Sequence, residues 1–440
     1  MKILITLFDI QDYGGIINHT EYLVKGLKQL GIQVDIVKLS PSSNIVRPSP
    51  IPKDIDQYSV LEGGTGYQHH QFKGWYGLPK VNYLNDYQRQ KFIDKSSTYD
   101  AVIWQIPIPT LNKQNTNVSE WVELYDNNTK NIAIIHDGNL PDLYPHLAYL
   151  QDKIHALACV HEAAFHSAKN IPIPRTMIFN PFDLSTIGEP NTENRSGFMA
   201  VQVFKGWKRV DELIKAIPRM QNTEPKVVGG AGIEYRYMTS KDKCKPKYFE
   251  NGTRIWDNAL NAGMNYIGVV PHDKVIERLQ RTKLQIDPSW SVKYAKHGAH
   301  FNRTTIEAMI MGAVPMATEL GMSNSVYFKP NINYIPILPK EDSSIYATRI
   351  DHALNSPVTL SKIQSNNWDL LVQKFDMKII ADQYINLITG SNVLQSCPKG
   401  ELNDDIISKC NKNLGFFGIK SHINATRGTQ SAIGGQTTLF

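Results

Sequence analysis

The sequence predicts an α/β protein of two Rossmann-like, doubly wound domains facing a cleft. Three observations predict the two domains. Short apolar runs alternate with segments of helical period, the signature of βαβ units and parallel sheets. A polar stretch, Glu189 to Ser196, interrupts the alternation, which then restarts. The chain has 440 residues, enough for two or three domains that each bury a core.

Lys2 to Phe8 is an apolar run suited to a strand buried on both faces. Gly14 and Gly15 follow in a polar loop, and Ile17, Tyr22, Leu23, Leu27 and Leu30 recur at helical spacing until Gly31. Val34 to Val37 is a second strand, and further short runs at Ala101–Trp104, Ile132–Ile135, Ala156–Val160 and Met177–Phe179 complete a domain over residues 1–190. The second domain, 195–370, reads as strand Phe198–Val203, a lysine-bearing loop, a helix near Arg209–Met220, and strand Lys226–Gly230. Strand Asn265–Ile267, helix Lys274–Leu279, strand Leu284–Asp287, helix Thr304–Met311 and strand Val314–Ala317 follow. Met238 to Asn261, polar and lysine-rich, reads as an insertion whose run at 241–247 is a solvated face. Residues 371–390 follow as a separate segment, and 391–440 read as a polar, partly disordered tail.

Composition narrows the class. With 47 basic and 41 acidic residues the net charge is +6, which permits an anionic partner without demanding one. No run of about 18 apolar residues provides a membrane span. The first residues lack a signal-peptide layout, because Asp9 and Asp12 follow a short apolar run. Four scattered cysteines fit a reducing cytoplasm, and Cys397 and Cys410 lack the neighbours a zinc site needs. The expectation is a cytoplasmic monomer.

Open α/β sheets bind ligands at the carboxyl ends of their strands, and helix N-termini favour phosphates. Two such domains suggest a phosphorylated cosubstrate between them. His136 and Asp137 end the strand Ile132–Ile135, where the histidine can bond sugar hydroxyls and the aspartate can take a proton or stabilise positive charge. A satisfied core histidine beside a helix-capping aspartate is the plain alternative.

The order of motifs resembles the retaining, family-four type of GT-B glycosyltransferases. The Gly14-Gly15 loop looks like that family's glycine turn, and VQVFKGWKRVDELIKAI (201–217) like its lysine motif. VVGGAG (227–232), MNYIGVVPHDKVIERLQRTKLQIDPS (264–289), TTIEAMIMGAVPMATELG (304–321) and KFDMKIIADQYINLI (374–388) resemble further motifs in order, the last implying that 371–390 is a C-terminal helix crossing back to the first domain. Within the family, GIEYRYMTSKDK (232–243), VIERLQRTK (275–283) and IIHDGN (134–139) resemble the T-even type of phage DNA α-glucosyltransferases.

The resemblance implies a UDP-sugar donor, glucose by default, and no metal or other cofactor. Lys208 would neutralise the diphosphate leaving group, with Gly14, Gly15, Thr304 and Thr305 around the donor and Glu307 on the ribose. It places His136 and Asp137 beside the transferred sugar. Two family positions are changed: a glutamate is replaced by Ala299 and an arginine by Val203, so Lys205 is expected to supply the missing charge. The acceptor would be a hydroxymethylated pyrimidine in double-stranded phage DNA. Residues 67–95 interleave aromatics with bases, and His69, Trp75, Tyr76 and Arg89 are the candidates to stack an extruded base and follow phosphates. The same aromatics would suit a glycan, so a polysaccharide, lipid-linked or protein glycan is the alternative acceptor. An inactive scaffold that binds nucleic acid is the third reading.

Overall fold

The fold comes from a computed structural model. It describes residues 1–8, 15–40, 80–108, 118–136, 147–171, 173–185, 187–190, 194–202, 208–229, 249–250, 253–268, 272–289, 301–319, 325–338 and 341–391. Seven strands form the first sheet: β1 (Lys2–Phe8), β2 (Gln33–Ser40), β3 (Lys80–Asn82), β4 (Ala101–Trp104), β5 (Lys130–Ile135), β6 (Ala156–Cys159) and β7 (Arg175–Met177). Their order is β3-β2-β1-β4-β5-β6-β7, parallel throughout. Helices α1 (Gly15–Gln29), α2 (Asp86–Ser96), α3 (Val118–Glu123) and α4 (Glu162–Ser167) provide crossovers. β1 is a continuous apolar run because both of its faces are covered: Ile3, Ile5 and Leu7 are buried, and so are Leu4 and Phe8.

The second sheet has β8 (Phe198–Val201), β9 (Lys226–Gly229), β12 (Asn265–Gly268), β13 (Leu284–Asp287), β14 (Val314–Thr318) and β15 (Ile335–Ile337). Their order is β12-β9-β8-β13-β14-β15, again parallel. Between β9 and β12 lie a hairpin, β10 (Phe249–Glu250) with β11 (Thr253–Arg254), and helix α6 (Ile255–Asn261). The end of the stretch read as an insertion is thus structured, and Ala259 of α6 is buried in the second core. Helices α5 (Val210–Ala216), α7 (His272–Leu279), α8 (Arg303–Ile310), α9 (Ser343–Leu354) and α10 (Pro357–Lys374) belong to this half.

The chain crosses between the sheets twice, and the crossings pair with each other. Phe182 N donates to Phe375 O at 2.9 Å and Met377 N to Phe182 O at 2.8 Å. Around this strap the rings of Phe179 and Phe375 stack at 4.3 Å, and Phe301 lies 4.6 Å from Phe328. The polar stretch near 195 is also anchored. Arg195 donates to the carbonyls of Leu279, Thr282 and Met311, which end α7 and α8.

After the second crossing comes α11 (Met377–Thr389), capped by Asp376 at its start and by left-handed Gly390 at its end. It lies on α1, as the sequence led us to expect of a returning helix. Lys130 Nζ donates to Ile388 O at 2.7 Å, tying its far end to β5. The approach is closest at Gly26, where an added Cβ would stand 2.3 Å from Met377 O and 3.0 Å from Ala381 Cβ. Backbone blocks that Cβ, so the helices must separate to admit it. Among the described residues no helix is long and apolar enough to cross a membrane.

Gly26→Ala is therefore expected to lower stability by about 1–3 kcal/mol despite alanine's better helix propensity. Urea unfolding checks this, and an unchanged midpoint would show that the helices are not in close contact.

Candidate active site

In an open parallel sheet the ligand crevice lies where the strand order reverses. The first sheet reverses between β1 and β4, the second between β8 and β13. The functional side chains gather at the carboxyl ends of these strands.

In the first domain parallel pairing aligns the ends of β4, β5 and β6. Gln105, His136 and His161 emerge side by side, and His19 reaches them from α1. His136 Nε2 lies 2.9 Å from Gln105 Oε1. The His19 ring meets His136 edge-on, centroids 5.0 Å apart, and its Nδ1 lies 3.0 Å from Asn180 Oδ1. His161 Nδ1 accepts the Ala164 N–H at 3.0 Å, capping α4, and its Nε2 lies 3.3 Å from the His136 carbonyl. Burial pushes His19 down to about 3 and His161 to about 4. Burial, then neighbouring His19, His161 and Arg303, hold His136 well below its ordinary value. All three rings are neutral at physiological pH.

In the second domain Lys208 follows β8 and precedes Arg209, whose φ of 52° is left-handed. A non-glycine residue there costs about 1 kcal/mol, and such strain is common where a side chain must be aimed. Lys208 Nζ donates to Asn302 Oδ1 at 2.5 Å. The Asn302 amide donates to Asp287, the last residue of β13, and lies 3.3 Å from Ser289 Oγ. Thr305 Oγ1 donates to the same Asp287 oxygen at 2.8 Å. Asn302 is the N-cap of α8, yet its side chain makes no capping bond to that helix. The lysine and the N-terminus of α8 therefore stand together, an arrangement suited to an anion.

The two halves meet at Arg303. Its Nε donates to Glu307 Oε1 at 3.1 Å, and its guanidinium carbon sits 4.3 Å from the Phe182 ring centre and 5.5 Å from that of Tyr22 on α1. His272, at the start of α7, places Nε2 3.1 Å from the same Glu307 oxygen. Burial opposes charge on both partners, but the ion pairs outweigh it: Glu307 is held below its usual range and His272 is raised above its own. Tyr22 is pushed up to about 12, chiefly by burial.

Lys208 and Glu307 lie in one half of the cleft and His136 in the other. Gly15 is the first residue of α1, and Thr304 is half-buried in the first turn of α8. Thr305 is fully buried, and its hydroxyl serves Asp287, supporting the site from behind. Arg89, expected as an acceptor contact, is engaged within its own domain. Its guanidinium is spent on Tyr83 O, Asp86 and Glu123, locking α2 to its surroundings. Tyr83 in the same segment is a core residue packed edge-on against Trp121. Gly14, Asp137, Lys205, His69, Trp75 and Tyr76 lie outside the described residues. Sequence reasoning missed His19, Gln105, His161, His272, Asn302 and Arg303, although the last two adjoin a recognised motif. Among the described residues no group of three His, Cys, Asp or Glu side chains is placed to hold a metal.

Two parallel doubly wound sheets, paired crossings and a helix returned to the first domain define the GT-B fold. Solved structures share it over nearly the whole chain. HepE of Anabaena, bound to UDP and glucose, aligns at TM-score 0.60 and 13% identity over 89% of this chain and 100% of its own. An α-glucosyltransferase bound to UDP and a 13-mer DNA containing an HMU base aligns at 0.59 and 14%, over 88% and 99%. A variant of Staphylococcus aureus TarM, bound to fondaparinux, α-GlcNAc-glycerol and UDP, aligns at 0.58 and 13%, over 88% and 99%. No protein-family model matches the sequence, and no curated protein does.

The His272–Glu307 pair sets a pH window. The raised His272 contributes stability fully below its unfolded value of 6.5 and loses it as pH climbs through the folded value. The lowered Glu307 contributes above 4.5 and loses it as pH falls through its folded value. The stability difference between wild type and His272→Ala, about 0.5–3 kcal/mol in scale, should be greatest at mildly acidic pH and shrink into the alkaline range. Urea titrations across pH check this, and a difference that grows with pH would contradict the pairing.

Proposed function

We propose that the protein is a retaining glycosyltransferase that moves a sugar, glucose by default, from a UDP-sugar to a hydroxymethylated pyrimidine in double-stranded DNA. The observation that carries the reading is the convergence of Lys208 and Glu307 at one switch point with neutral His136 at the other. The second domain offers charge to a diphosphate and a carboxylate to ribose hydroxyls. The first offers uncharged hydrogen-bonding groups suited to a sugar.

Lys208 and the N-terminus of α8 balance the charge that grows on the departing diphosphate. The acceptor hydroxyl approaches the anomeric carbon on the face the diphosphate leaves. The carbon–oxygen bond to phosphate breaks, the new glycosidic bond forms, and the hydroxyl proton passes to a phosphate oxygen. Asp137, next to His136 in the chain, is assigned to stabilise positive charge at the anomeric carbon. The scheme calls on no metal, and we place the protein as a monomer in the cytoplasm of a phage-infected host. A glycan acceptor is the second reading, favoured by the comparable likeness to TarM bound to α-GlcNAc-glycerol.

Radiolabelled UDP-glucose incubated with duplexes carrying hydroxymethylated or ordinary pyrimidines decides among these. Label is expected only in the hydroxymethylated duplex. Label in a polysaccharide or lipid acceptor instead would establish the second reading, and no transfer from any UDP-sugar would sink both. Lys208→Ala should lower kcat by about 10²–10³, the scale of losing one preorganised group on a developing anion. Full activity in that variant would remove Lys208 from the donor site.

A further inference from the structure

Gln105 follows β4 directly, with its backbone N–H donated to Thr6 O of β1. Its side chain is completely buried at the switch point of the first sheet, and its amide nitrogen has no hydrogen-bond partner. A glutamine so placed is costly unless its oxygen has a task. That oxygen lies 2.9 Å from His136 Nε2.

A carbonyl oxygen can only accept, so the proton between the two belongs to His136 Nε2. A neutral imidazole carries one proton, which leaves Nδ1 with a lone pair. Burial first, and then, among the described residues, His19 from α1, His161 from the end of β6 and the Arg303 cation from α8 disfavour charge on the ring. His161 adds a second constraint. Its Nδ1 accepts from Ala164 N, so its own proton is on Nε2, which faces the His136 carbonyl and steadies that backbone. His136 itself is only half-buried, and its Nδ1 has no hydrogen-bond partner among the described residues.

We propose that Gln105 is a positioning residue for the transferred sugar: it fixes His136 as the Nε2–H tautomer, so the ring meets the sugar with an acceptor and selects a hydroxyl that donates. This rests on the reading of His136 as a sugar contact. A sugar lacking that hydroxyl, or carrying fluorine or a methyl ether there, offers no proton to Nδ1. The opposite amide orientation would put the proton on Nδ1 and reverse the selection.

Nitrogen-15 spectra of ring-labelled histidine in the full chain read the tautomer directly, with His136→Gln identifying the signal. The expected result is a neutral ring protonated at Nε2, and a ring protonated at Nδ1 overturns the proposal. Gln105→Glu supplies the kinetic readout. A carboxylate beside the ring raises the His136 pKa, and an imidazolium has no acceptor to offer. Sugar transfer by Gln105→Glu should therefore fall by about tenfold per pH unit below the raised pKa, while the wild-type profile stays flat there. Superposable profiles would also overturn the proposal. If the wild type transfers no sugar at all, the glycosyltransferase reading fails, and the spectra still decide the tautomer independently.

Discussion

A single buried guanidinium links the two halves of the cleft. Arg303 extends from α8 of the second domain between Phe182, on a chain crossing, and Tyr22, on α1 of the first. Removing a cation from water is expensive, and here the ring faces and Glu307 offset part of that cost, while its two terminal nitrogens stay buried without a hydrogen-bond partner among the described residues. Glu307 is in turn held by His272, so a chain of opposite charges runs from α7 through α8 to the seam. The same cation discourages protonation of His19 and His136. Burial does most to keep the histidine side neutral, and Arg303 adds to it while pairing with the carboxylate on the other side.

That division of charge matches two chemical tasks. A leaving diphosphate gains negative charge as its bond breaks and is best met by preorganised cations and helix N-termini. Sugar hydroxyls gain little charge and are better matched by neutral donors and acceptors with fixed orientations. Lys208, Asn302, Asp287 and Thr305 make a connected polar network on the charged side. Gln105, His136, His161, His19 and Asn180 form its neutral counterpart.

The strands most legible in the sequence were those whose burial made them mainly apolar: β1 and β4 have the bounds their composition suggests, and so does β13 despite its buried Gln285 and Asp287. Where burial is slight, pattern fails: α2 reads DYQRQKFIDKS and buries only Phe92 and Ser96, so it passed for a basic, aromatic loop. Its Arg89 shows the same difficulty at a single residue, since a guanidinium poised for phosphate and one locked in ion pairs look identical in sequence. Lys208, Glu307 and His136 could be nominated from sequence because each sits on a local strand–loop–helix unit with characteristic neighbours. Their partners were not. Asn302 lies 94 residues from Lys208, and Gln105 lies 31 from His136. Parallel pairing of β4 with β5 brings the second pair together, and the strand reversal between β8 and β13 the first.

The paired crossings at Phe182 and Phe375 have a consequence for the order of events during synthesis. The first domain is discontinuous: residues up to about 180 supply its sheet, but the helix that covers α1 is 377–389. On the ribosome the second domain must emerge in full before that cover exists. Until then the narrow path along α1 at Gly26, shaped to take Met377 and Ala381, faces solvent. The amino-terminal half is made first and finished last.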